Sequence, residues 1–111
     1  VEAAGKKVVY ATDTEPDGGE MDRLLRENTR GADLLIMDSN NALEEAERRK
    51  GWGHSTWRDC ISVARDAGVK TLVLNHHDAF QDDEAVRAKE DAARAAFAGA
   101  LCAREGLTLT V

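Results

Sequence analysis

Cysteine is scarce in this chain: Cys60 and Cys102 are the only two. They can form one bridge at most, which excludes a disulfide-stapled scaffold. Neither lies in a C-x-x-C or C-x-x-H pattern, so thiolate metal sites are not indicated. Both fall in helix-patterned stretches and read as buried thiols of a reducing cytoplasm. Proline is rarer still, Pro16 alone, and aromatic residues make up 5%. No apolar run approaches the ~18–20 residues of a membrane helix. Val1 to Lys7 lacks the apolar h-region of a signal peptide, and a first residue other than Met suggests a fragment. A basic excess is also absent: 15 Lys+Arg face 21 Asp+Glu, a formal charge of -6. That balance excludes a nonspecific nucleic-acid surface, while leaving room for a local basic groove or a phosphate held through metal.

What is present is the composition of one globular domain: 111 residues, 42% hydrophobic and 32% charged. Strand-like and helix-like segments alternate. Lys7 to Thr12 is β-branched and aromatic, and Pro16, Gly18 and Gly19 follow in a loop. Met21, Leu24 and Leu25 recur at helical spacing until Gly31. Asp33 to Asp38 is a continuously apolar strand of the buried kind. Leu43 to Lys50 is a charged short helix or turn, ended by Gly51-Trp52-Gly53. Trp57, Cys60, Ile61, Ala64 and Ala67 then form a helical stripe. Ser55 or Thr56 can cap it, Asp59 completes a capping box with Thr56, and Gly68 stands where a terminating glycine belongs. Val69 to Leu74 reads as another buried strand. Asp82 to Glu105 reads as one long Ala-rich helix with Val86, Ala93, Phe97 and Leu101 as its seam. Leu107 to Val111 alternates as a final strand. The order β-α-β-α-β-α-β implies an α/β layer with right-handed crossovers.

Residues able to do chemistry gather just beyond strand ends: Asp13, Asp38, and the run Asn75-His76-His77-Asp78. Ligands of open α/β sheets bind at that edge. Asp38 alone would read as a turn-maker, and His54, between Gly53 and a helix cap, as a surface histidine. A His-His-Asp run after an apolar strand is harder to assign to structure. Strand alternation sends the rings of His76 and His77 to opposite faces, so one of them faces the site. Carboxylates and imidazoles together suit Zn²⁺, Mn²⁺ or Fe and metal-assisted hydrolysis.

Four segments in order, Tyr10-Ala11-Thr12-Asp13-Thr14-Glu15, Asp33 to Asp38, Gly51-Trp52-Gly53-His54-Ser55-Thr56-Trp57 and Leu72 to Asp78, carry a resemblance. From about Gly5 to Val111 the chain resembles the C-terminal half of the metallo-β-lactamase superfamily, in its ribonuclease Z-like and phosphodiesterase-like branch. The resemblance implies half of a four-layer αββα sandwich. It implies that Asp13, in a T-D-T motif, bridges two divalent metal ions, zinc before manganese or iron. His76, counted from Leu72, would ligate one of them, and His54 of G-H-S-T would donate a proton or contact phosphate. His77, Asp78 and Asp38 would stand behind the ligands as partners that fix ring orientation. The implied reaction is hydrolysis of a phosphodiester, such as a cyclic nucleotide or an RNA end, by metal-activated water.

The chain departs from that family in lacking its H-x-H-x-D-H motif; only three histidines are present. A catalytic zinc takes about three protein ligands, so residues 1–111 are expected to lack the N-terminal metal-binding half and to be inactive alone. Ser39-Asn40-Asn41 and Ala79 replace an aromatic residue and a proline frequent in relatives. With its partner half absent, the apolar sheet face is expected to bind that half or a second copy. The competing expectation is a non-catalytic receiver-like α/β signalling module, with Asp38 as phosphoacceptor. That scheme wants a strand-end Lys, which the chain lacks.

Overall fold

A computed structural model describes the whole chain, Val1–Val111. Five strands form one sheet in sequential order: β1 (Glu2–Ala3), β2 (Lys6–Ala11), β3 (Leu34–Asp38), β4 (Thr71–Asn75) and β5 (Ala100–Cys102). β1 pairs antiparallel with β2; every later pairing is parallel. Helices α1 (Glu20–Thr29), α2 (Trp57–Ala67) and α3 (Asp83–Ala96) make the three crossovers. Because each crossover steps to the next strand in the same direction and is right-handed by preference, all three helices share one face of the sheet. There α1 packs on α2 and α2 on α3. The mixed α/β architecture is the one the strand–helix alternation predicts.

Strand alternation divides the residues between two faces. Leu35, Met37, Leu72, Leu74, Ala100 and Cys102 point to the helices and form the core with Cys60, Ile61, Val63 and Ala64 of α2 and Ala93 of α3. Of the opposite set, Tyr10 is 62% exposed, whereas Leu34 and Val73 are buried. Leu107 and Leu109 of the C-terminal tail line a hollow with these three residues, so the tail partly shelters the helix-free face. Both cysteines are free and buried, as their helix and strand positions require. Burial pushes the Cys60 thiol well up and that of Cys102 up to about 11, which keeps both protonated. No helix is long and apolar enough to cross a membrane.

Two segments differ from the periodicity reading. The helix read as Asp82 to Glu105 stops at Ala96, where Phe97 takes an extended conformation, and residues 100–102 join the sheet as β5. The apolar spacing of Phe97 and Leu101 suits a helix as well as a turn plus a short strand, and the vacant edge of β4 decides. Gly99 makes that edge reachable, since a Cβ there would sit 2.3 Å from the Lys70 carbonyl oxygen. Residues 107–111 alternate but pair with no strand. Gly106, with φ +79°, turns the tail back over the sheet face instead of along its edge. The capping box of α2 forms as expected: Thr56 Oγ1 accepts from the Asp59 N–H, and Asp59 accepts from the Thr56 N–H.

Asp33 ties the strand starts together. Its carboxylate accepts from the Lys7 N–H at 2.9 Å and from Lys70 Nζ at 2.6 Å. The Lys70 bond, followed by that from Lys7, holds its pKa below the ordinary carboxylate value. A depressed folded-state pKa adds stability above the unfolded pKa, ~3.9, and loses it as pH falls through the folded value. Asp33→Asn should therefore lower the urea midpoint at pH 7 and converge on the parent chain as pH falls through the depressed folded-state pKa. A gap that stays constant with pH would contradict the ionic origin.

Candidate metal centre at the carboxyl edge of the sheet

Asp38 closes β3 and Asn75 closes β4, and the register places them side by side. Asp13 follows β2 by one residue beyond Thr12, and His76 follows β4 directly. At both Asp13 (φ +52°) and His76 (φ +54°) the backbone enters the left-handed region. For residues other than glycine such a conformation is uncommon and must be held by its surroundings. Here it turns two strand ends toward a common point. Asp13, Asp38, His54 and His76 each offer one ligand atom, and these atoms all lie within 4.8 Å of one another.

Within the group, His54 Nδ1 lies 2.6 Å from Asp38 Oδ2. The Asp38 side chain is fully buried, and its other oxygen accepts from the Asn40 N–H at 2.8 Å. A carboxylate oxygen accepts in such a bond, so His54 Nδ1 is its donor and Nε2 is the ring nitrogen left free. His76 Nδ1 stands 3.5 Å from Asp13 Oδ1 and 3.6 Å from Asp38 Oδ2. The two imidazoles meet edge to face, with ring centroids 5.0 Å apart. Asp13 is the most exposed of the four at 65%, and Asp38 the least. The set therefore runs from an enclosed base to an open rim. The donor set, two carboxylates and two imidazoles, fits a borderline divalent cation such as zinc.

Each residue of Gly53-His54-Ser55-Thr56 does a separate job. Gly53, at φ +86°, makes the turn. His54 points into the cluster, and its carbonyl accepts from Asn41 Nδ2. Buried Ser55 donates to the Thr14 carbonyl, which fastens the Asp13 loop to the His54 loop. Thr56 starts α2. Below them Cys60 Sγ donates to the Asp38 carbonyl at 3.0 Å, so α2 also supports the strand end.

The structure thus brings together Asp13, His76 and His54, and adds Asp38 as direct partner of His54. His77 and Asp78 lie elsewhere. His77 Nε2 faces the Ala103 carbonyl at 3.2 Å, its Nδ1 meets Lys89 Nζ at 2.9 Å, and Asp78 pairs with Arg49. Burial first, then the Lys89 charge, lowers the His77 pKa, while Arg49 lowers that of Asp78. The ring-holding carboxylate is Asp38, acting on His54, rather than Asp78 acting on His76. Sequence spacing does not reveal that pairing, because a contact across 16 residues depends on how a Gly-rich turn folds back.

Residues 1–77 match a family model described as the beta-lactamase superfamily domain. The chain belongs to that superfamily. It is similar to ribonuclease Z of Gemmatimonas aurantiaca, 38% identical over 102 residues that make up 92% of this chain and 31% of that protein. Ribonuclease Z of Salinibacter ruber is 41% identical over 101 residues, 91% of this chain and 29% of the relative. That of Haloarcula marismortui is 40% identical over 98 residues, with shares of 86% and 29%. The chain spans about a third or less of the length of the curated relatives it matches.

The Asp38–His54 bond makes a direct prediction for imidazole nitrogen NMR. Neutral His54 should be found as the Nδ1–H tautomer, and Asp38→Ala should move it to the Nε2–H form that free imidazoles favour. A His54 spectrum indifferent to that substitution would show that the bond does not govern the ring.

Proposed function

We propose that this chain is the C-terminal part of a metal-dependent phosphodiester hydrolase acting on RNA, with its N-terminal metal-binding half outside residues 1–111. The convergence of Asp13, Asp38, His54 and His76 at the carboxyl ends of three parallel strands carries the reading. The relatives' name, ribonuclease Z, supports RNA as the phosphodiester. In this reading Asp13 and His76 are metal ligands, Asp13 on the open rim where a carboxylate can bridge two cations. Two divalent ions, zinc first and manganese or iron as alternatives, would supply Lewis acidity and an activated water. His54 is the proton donor. Asp38 holds its Nδ1–H and stabilises the charged ring, so Nε2 can deliver a proton to the departing alkoxide. Metals alone supply that proton poorly. His77 and Asp78 steady the loop beyond His76 through Lys89 and Arg49. The buried free thiols suit a reducing, cytoplasmic setting.

The full-length protein tests these roles separately. Asp13→Ala should lose bound metal by elemental analysis and lose RNA cleavage with it. His54→Ala should keep the metal and lower kcat by ~10²–10⁴-fold, the usual contribution of general acid catalysis. An Asp13→Ala protein that retained both metals and activity would overturn the assignment.

The same reading makes the helix-free sheet face, with Tyr10, Ile36 and Leu101 on it, the seat of the N-terminal half. In its absence, residues 1–111 should pair through that face with a second copy. Light scattering at high concentration checks this: association is expected, and a monodisperse monomer would count against it.

A further inference from the structure

Lys89 is out of place for a lysine. It lies on α3 between Val86 and Ala93, in the stripe that faces the sheet, and is 7% exposed. Its ammonium donates to the Ser39 carbonyl at 3.0 Å and lies 3.4 Å from Ser39 Oγ. The third partner is His77 Nδ1 at 2.9 Å. All three partners are neutral acceptors, and the ammonium forms no salt bridge. A buried charge without a counterion at contact is costly, and an apolar residue at such a position is often as stable or more so. The lysine therefore calls for a role other than stability.

Its partners are neighbours of the metal-centre residues. Ser39 follows Asp38, and His77 follows His76. Ser39 also donates through its N–H (2.8 Å) and its Oγ (3.0 Å) to the carbonyl of Asn75, the residue before His76. Lys89 thus closes a ring of hydrogen bonds that joins the end of β3 to the end of β4. Between Asn75 and His77 stands His76 with its φ of +54°. That conformation persists only where both flanks are fixed. Asn75 is fixed by the sheet and Ser39; His77 is fixed by Lys89 on one ring nitrogen and the Ala103 carbonyl on the other.

We infer that Lys89 is a positioning residue for the metal centre: by clamping Ser39 and His77 it holds His76 in ligand geometry and Asp38 against His54 without touching the metal or the substrate. The inference rests on His76 facing the metal, as proposed above.

The test uses the 111-residue chain with ¹⁵N-labelled histidine. In the parent chain His77 should be neutral, with the proton on Nε2 and the acceptor pair on Nδ1. Finding the Nδ1–H tautomer would overturn the clamp even if no variant folded. Zinc titration, read on the His54 and His76 resonances, gives the second measure. Lys89→Met should move the His76 resonances before zinc is added and raise the half-saturating zinc concentration at least ~10-fold, the usual effect of losing an outer partner of a metal ligand. Lys89→Arg, which keeps charge and donors, should restore part of that loss. If Lys89→Met lowered only the urea midpoint, with His76 resonances and zinc response unchanged, the residue would be merely structural and the inference wrong. Absence of a zinc response in the parent chain would show that zinc binding needs donors outside residues 1–111; the His77 tautomer and the His76 shift on Lys89→Met would still decide whether the clamp exists.

Discussion

A fully buried carboxylate, Asp38, governs the carboxyl edge of the sheet. A charge in that position must be hydrogen-bonded to be tolerated. Its two oxygens take the Asn40 N–H and His54 Nδ1, while its own carbonyl takes the Cys60 thiol. Those demands fix three things at once: the turn after β3, the direction of the His54 ring, and the depth of the first turn of α2. Take the carboxylate away and His54 loses its only partner inside the cluster at hydrogen-bond distance. The strained ends at Asp13 and His76 would then converge on nothing definite.

The site differs in enclosure from base to rim. Asp38 and Ser39 are enclosed, His54 is partly covered, and His76 and Asp13 are progressively more open. Such a gradient suits a centre whose enclosed side is built by this chain and whose open side waits for further ligands. The two ligands proposed from these residues, Asp13 and His76, fall short of the about three protein ligands that a catalytic zinc takes. The chain covers about a third or less of its relatives' length, and the function proposed above puts the remaining donors outside residues 1–111.

Much of this was legible from residues alone, for identifiable reasons. A four-residue apolar run such as Leu34 to Met37 is too short for a helix and reads as a buried parallel strand. Thr56, Asp59 and Gly68 are local signals whose hydrogen bonds close within four residues, so α2 was readable almost to the residue. Asp13, Asp38 and His76 were legible as strand-end positions, because parallel topology brings such ends together. What was not legible depends on competition between distant partners. The Phe97–Leu101 spacing suits a helix until the free edge of β4 recruits residues 100–102. His54 is sixteen residues from Asp38, and no periodicity reports that a glycine turn will fold the ring onto that carboxylate. Lys89 did carry a signal, a charge at an apolar stripe position three residues after Val86 and four before Ala93. It reads as a fault in the stripe until its partners are known.

The pair His76-His77 shows how one irregular residue serves two environments. In a regular strand, alternation alone sends adjacent rings to opposite faces. Here β4 has already ended at Asn75, so alternation no longer applies, and the left-handed turn at His76 replaces it. One ring goes to the exposed cluster, where its neighbours are carboxylates. The other goes under α3, where burial, and then a lysine, lower its pKa. Two identical side chains thus acquire opposite electrostatic settings over a single peptide unit. The turn that separates them is the same strained geometry that aims His76 at Asp13. Strain, ligand direction and the buried lysine are therefore one device rather than three.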